Sequence, residues 1–143
     1  MFKPCLAITA VLLFIGFTAC KKSQSTSNAK TVQNLAGSYN LTALVWTQGI
    51  ISVNVYDSLI PCEKDNVIQL NTDLTVNFHD AGIVCSPPED ANGHWSLSAN
   101  ADSLYLDTTA TFIKSWDGKT LVLTDYVAGS GNAVIGTSTF VKK

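Results

Sequence analysis

Four residues near the middle of this chain carry the side chains of a metal site or a redox pair: Cys62, His79, Cys85 and His94. By type they make a tetrahedral zinc set. Structural zinc sites, however, bring their ligands in close pairs such as Cys-x2-Cys or His-x3-His, and none of these four has such a neighbour. In an oxidising compartment the two thiols join instead. Closing the stretch between them stabilises by about 3.4 kcal/mol in the chain-entropy account. A Cys62–Cys85 disulfide is therefore the expectation, with a Cys2His2 site as the alternative, and no metal or cofactor is expected. Hydrolytic chemistry fares no better. A serine nucleophile sits on a strained elbow such as Gly-x-Ser-x-Gly, whereas Gly129-Ser130-Gly131 has the composition of a loop. His79 and Asp80 resemble a base and its orienter, but neighbours on a strand point to opposite faces. Glu89-Asp90, a pair of carboxylates, lies between Pro87-Pro88 and Ala91-Asn92-Gly93 and reads as a solvated loop, while Glu63 and Asp65 read as caps of the turn before Val67. With no glycine-rich phosphate loop either, the chain is not expected to be an enzyme.

The elements that would position these residues begin with an address. Lys3 precedes an uncharged run from Cys5 to Phe17. As a helix that run is about 20 Å long, short of a hydrocarbon core of about 30 Å, so it suits a signal segment better than a span. Phe17-Thr18-Ala19-Cys20 then resembles the lipobox of bacterial lipoproteins. The resemblance implies a signal peptide over 1–19, lipidation of Cys20, and two or more acyl chains, sufficient for stable anchoring. Residues 20–34 hold the lipidated cysteine and a tether, because KKSQSTSNAKTVQN has no apolar periodicity. Its reach is about 20 Å as flexible chain. The expected location is the cell envelope, lipid-anchored to the outer membrane and facing the periplasm. Once Cys5 is cleaved away and Cys20 acylated, Cys62 and Cys85 are the cysteines left to pair.

Residues 35–143 read as one domain of short strands. Tyr39, Leu41, Ala43 and Val45 alternate with Ser38, Asn40, Thr42 and Leu44. Val67–Leu70 and Thr75–Phe78 flank Asn71-Thr72-Asp73 as a hairpin. His94–Ser98 puts Trp95 and Leu97 on one face, and Ser103–Asp107 does the same for Leu104 and Leu106. Thr111–Trp116 meets Thr120–Tyr126 across Asp117-Gly118, a strong two-residue turn signal, and Ala133–Val141 closes the chain. Ile50–Tyr56 is a further β-prone run without a fixed place. No window sustains a helical stripe. Eight or nine strands joined by hairpin-length turns imply an all-β, antiparallel up-and-down meander, which removes its edges by closing into a small eight-stranded barrel. From Lys21 on, eight lysines stand against eleven acids, with no arginine anywhere. A nucleic-acid partner is thereby excluded, since it requires a basic face.

Leu35-Ala36-Gly37-Ser38-Tyr39-Asn40-Leu41, Cys62-Glu63-Lys64-Asp65-Asn66 and Gly93-His94-Trp95-Ser96-Leu97 together resemble the bacterial lipocalin-like domain family. The similarity runs from about Leu35 to Lys143. It departs from true lipocalins in having Tyr39 where their first-strand Trp stands and no arginine to pack across it. The resemblance implies a lipocalin-like barrel that binds a small apolar ligand, for which Trp46, Phe78, Trp95, Phe112, Trp116 and Tyr126 are the candidate lining. The alternative is a barrel filled by its own aromatics, serving as an accessory subunit or inhibitor in an envelope protein complex. Expected partners are thus the membrane, through the anchor, and a small apolar ligand or an envelope protein.

Overall fold

The computed structural model describes residues 28–127 and 133–143. The expected signal segment and Cys20 lie outside the described residues. The chain forms α1 (Val32–Leu35), β1 (Gly37–Gln48), β2 (Ile51–Asn54), a single 3-10 turn at Tyr56–Ser58 and α2 (Pro61–Lys64). It continues through β3 (Val67–Leu70), β4 (Thr75–His79), β5 (Ala91–Leu97), β6 (Ser103–Leu106), β7 (Thr109–Trp116), β8 (Thr120–Val127) and β9 (Val134–Lys142). All strand pairings are antiparallel, in the order β2-β1-β3-β4-β5-β6-β7-β8-β9, and β1 also pairs with β9. Eight strands therefore close on themselves as the alternating sequence pattern anticipated. β2 is the ninth and lies outside the closed ring.

β1 makes this possible by its length. On one edge it pairs with β9 from Tyr39 to Thr47. Its other edge is shared: Gly37–Asn40 bond to β3 and Val45–Gln48 bond to β2. The run whose place the sequence left open thus becomes a short hairpin on the upper half of β1, followed by a helical turn.

Because successive strands alternate in direction, the connections fall at two ends. The β3–β4, β5–β6 and β7–β8 turns share one end with α1, which follows the expected tether, and with Lys143; after the anchor expected from the sequence, it is termed the anchor end. Residues 49–66, 80–90 and 107–108 belong to the opposite, free end. β1 alone spans about 36 Å at roughly 3.3 Å per residue, so the two ends are well separated.

At the anchor end the chain orders earlier than its composition suggests. Thr31 caps α1 by accepting the Asn34 amide at 3.3 Å. Leu35 is fully buried and its carbonyl accepts the Tyr39 hydroxyl at 2.6 Å. Lys142 donates to the Asn34 carbonyl at 2.9 Å and stands 6.0 Å from the Tyr39 ring and 5.8 Å from the Trp116 ring. A lysine from the last strand thus covers the first-strand aromatic, and the end of the expected tether (Val32 to Asn34) packs as a lid on the barrel. Polar residues here order because Leu35 gives the turn an apolar foot.

Candidate functional site

Inside the barrel the question is how much room the inward side chains leave. Inward positions alternate along the strands except at the bulges: Ile113, Trp116, Leu121 and Leu123 are buried, and Trp95, Tyr39, Leu104 and Val76 are fully so, as is Leu35 of α1. The Trp95 indole N–H is satisfied by the Asn71 carbonyl at 2.8 Å. Burial pushes the Tyr39 hydroxyl far above the ordinary phenol value. The space left between Tyr39, Leu70, Leu104, Leu106 and Phe140 is about 40 Å³. A single water occupies about 30 Å³ in the liquid, and small-molecule pockets run from about 300 Å³ upward. Around these side chains, among the described residues, the interior is a packed core.

Outside, the same strands build a groove of about 500 Å³. Phe112 and Lys114 of β7, Thr124, Asp125 and Tyr126 of β8, Ile135 and Thr137 of β9, and Thr47 of β1 line it. The register explains the assembly: Phe112 pairs with Thr124, Thr124 with Thr137, Tyr126 with Ile135 and Ile135 with Thr47. Directly paired residues share a face, here the face opposite Leu121 and Leu123. Phe112 is 50% exposed and Tyr126 71% exposed. The groove offers two aromatic faces, an aliphatic floor at Ile135, threonine hydroxyls, one ammonium at Lys114 and one carboxylate at Asp125. It is furnished for binding and contains no nucleophile–base pair.

The free end carries the two long connections, and a disulfide joins them. Cys62 in α2 and Cys85 in the 80–90 segment are bonded with Cα atoms 5.3 Å apart. Carboxylates knit the surrounding loops. Glu63 accepts from the Ile60 amide at 3.1 Å, Asp65 from the Ile83 amide at 2.8 Å, and Asp80 from the Cys85 and Glu89 amides at 2.9 and 3.0 Å. These groups hold backbone in place, which is why so many acids cluster in segments with little regular structure. His79 faces Asp90 at 3.8 Å, and His94 faces Asp107 at 3.9 Å. Asp80, the sequence neighbour of His79, points to the loop instead. Among the described residues no three His, Cys, Asp or Glu side chains gather as a metal site, and the two sulfurs are bonded to each other.

At the anchor end the three turns share one chemistry. Asp73 accepts the Thr75 amide at 3.0 Å and the Thr75 hydroxyl at 2.7 Å. Asp102 accepts from Ser98 and Ser103 at 2.9 Å each and from Asn100 at 2.7 Å. Asp117 accepts from the Lys119 and Thr120 amides at 2.8 and 2.6 Å. Each turn needs a residue with positive φ, supplied by Leu74 (70°), Ala101 (53°) and Gly118 (97°). The Asp side chains hold the strained residues of these turns in place. Hydrogen bonds to the charged form draw all three carboxyls below the usual range: from Thr75 for Asp73, from Ser98 and Ser103 for Asp102, and from Thr120 and Lys119 for Asp117.

The six aromatic candidates do not form one site. Trp95 and Trp116 are core, and Phe78 packs against it. Trp46 sits at the free-end rim, 3.8 Å from where a Cβ on Gly136 would stand, so its indole lies over that glycine. Phe112 and Tyr126 alone come together, in the outer groove. The sequence reading missed Lys114, Ile135 and the three groove threonines. Their common face follows from cross-strand register, and a register shift between Ile113 and Ser115 hides that register from simple counting back from the Asp117-Gly118 turn. Compared with protein-family models, with curated proteins and with solved structures, the chain matches none.

Proposed function

We propose that this chain is a lipid-anchored, non-catalytic interaction module of the cell envelope: a filled barrel, tethered through Cys20 to the outer membrane on the periplasmic side, that meets a partner protein with its outer surface. The observation that carries the reading is the interior, where about 40 Å³ remains among Tyr39, Leu70 and Leu104. A barrel so filled acts as a scaffold, and what it offers a partner lies outside. Six large apolar side chains (Ile50, Ile51, Val53, Ile60, Ile83 and Val84) are exposed in the two long free-end connections, against Leu74 alone in the anchor-end turns. Exposed apolar side chains gathered at one end of a molecule support an interaction role for that end. The closed eight-strand barrel also supports the lipocalin-like resemblance.

One observation favours a second reading. The outer groove of about 500 Å³ is of ligand size, so a small apolar ligand would lie on the wall, between Phe112 and Tyr126. Native mass spectrometry of the intact lipoprotein, extracted in mild detergent, separates the two. The expected result is a defined protein–protein complex whose subunit of this chain carries no small adduct beyond its acyl chains. A monomer retaining an apolar adduct overturns the interaction reading and makes the groove a ligand site.

A further inference from the structure

Building on the reading that the protein works through its outside, we propose that β2 is the docking edge for an extended partner segment that carries lysine or arginine and places apolar side chains at alternate positions. β2 ends the strand order: one edge bonds to β1, and among the described residues no strand runs along the other. The ladder identifies which backbone groups face outward. The Val55 amide donates to the Leu44 carbonyl at 2.8 Å, and Val53 pairs with Trp46. By antiparallel alternation Val53 and Ile51 bond to β1, while the N–H and C=O groups of Ser52 and Asn54 point away from it. Edge strands are ordinarily guarded by a charge or a proline. Ile51-Ser52-Val53-Asn54 has neither. Ile51 is 65% exposed and Val53 55% exposed, and both lie on the face that carries Trp46. An added strand would find outward backbone groups for hydrogen bonding and an apolar strip for alternate side chains, the two requirements of strand addition.

Charge selects the partner. The free-end connections 49–66, 80–90 and 107–108 contain seven carboxylates, at positions 57, 63, 65, 80, 89, 90 and 107, and one lysine, Lys64. That lysine donates to the backbone carbonyl of Asp57 at 3.2 Å and lies 5.5 Å from the Tyr56 ring. The carboxylates are held largely by backbone amides and by Asn54 and Asn66, which leave their charge in place. A second copy docking here would press like charge on like. An anionic membrane surface would be repelled, and the tether leads to the opposite end. A basic segment is attracted and steered.

The test uses the full-length lipoprotein in mild detergent and a fluorescent peptide alternating lysine and valine, read by anisotropy. Peptides alternating glutamate with valine, and lysine with serine, are the controls. The lysine–valine peptide is expected to bind at least about tenfold more tightly than either control, and to weaken several-fold as salt rises from about 50 to about 500 mM. Ser52→Pro removes an outward N–H while leaving the bonds to β1, and is expected to lower affinity about tenfold. Ile51→Lys with Val53→Lys keeps the backbone edge and is expected to reverse the preference toward the glutamate–valine peptide. Equal binding of the glutamate–valine peptide overturns the proposal, as does unchanged binding in both variants. Should no peptide bind while the native extract still holds a defined protein complex, the partner chemistry fails and the interaction reading stands. A peptide-blind protein that is also a lone monomer sinks both.

Discussion

The two ends of this barrel are built from the same strands and solve different problems. At the anchor end three short turns each rest on an aspartate that gathers neighbouring amides and hydroxyls, and α1 seals the interior with Leu35. Lysines 30, 119, 142 and 143 lie at that end, beside the expected tether. At the free end the connections are long and tied by Cys62–Cys85, they carry an excess of acid, and they leave isoleucine and valine in solvent. The contrast teaches where stability and recognition separate. Short turns with internal hydrogen bonds keep their shape unaided, whereas long loops that expose apolar groups require a covalent tie to present them.

The sharpest way to break the contrast is to open the sealed end. Leu35→Ala should cost about 3–5 kcal/mol, because a fully buried side chain is removed from a site held by the barrel rim. Chemical denaturation should show a lower midpoint with little change in slope. Replacing Cys62 and Cys85 with serine should cost about 3.4 kcal/mol at most. Its diagnostic is local: amide exchange should rise across α2 and residues 80–90 while the anchor-end turns keep their protection. If protection falls uniformly, the ends are not independent.

Acid should act in the opposite place. Asp73, Asp102 and Asp117 have folded-state carboxyl values below their unfolded ones, so their contribution is complete above the unfolded value of about 3.9 and is lost as pH falls through the folded values. Exchange in the three anchor-end turns should therefore accelerate below about pH 4. Asn replacement of all three should flatten that acid limb, and an unaltered limb would place the acid sensitivity elsewhere. The smallest effect is expected at the free-end tip: Ile50→Ser, fully exposed, should shift stability by less than about 0.5 kcal/mol. A larger loss would mean that this side chain packs against something.

Much of the architecture was legible because strand alternation is a local property. Trp95 with Leu97 and Leu104 with Leu106 announce their shared faces by period two, whereas in β1 the register shift between Leu41 and Ala43 moves Ala43 and Val45 off the face of Tyr39 and Leu41. Asn71-Thr72-Asp73 and Asp117-Gly118 announce their turns by residue type. Cys62–Cys85 followed from there being two cysteines left to pair. The candidate binding surface was not legible in the same way. Phe112 and Tyr126 read equally well as lining or as core, and the residues joining them into a groove come from four strands whose relative register a bulge alters. The segment 50–56 reads as strand by composition, yet composition says nothing about which edge receives it.

By itself, then, the sequence determined the all-β character, the turns and the shared faces of a few strand pairs such as Trp95 with Leu97, since each depends on a few consecutive residues and their allowed backbone angles. The tertiary structure alone decided that little room remains among the described inward side chains, that β2 stands outside the ring with no other described strand along its outer edge, and that acids and exposed aliphatics collect at the end away from the expected tether. Those properties depend on closure, in which β1 meets β9 across the whole length of the chain, and on the volume left once every inward side chain has been placed.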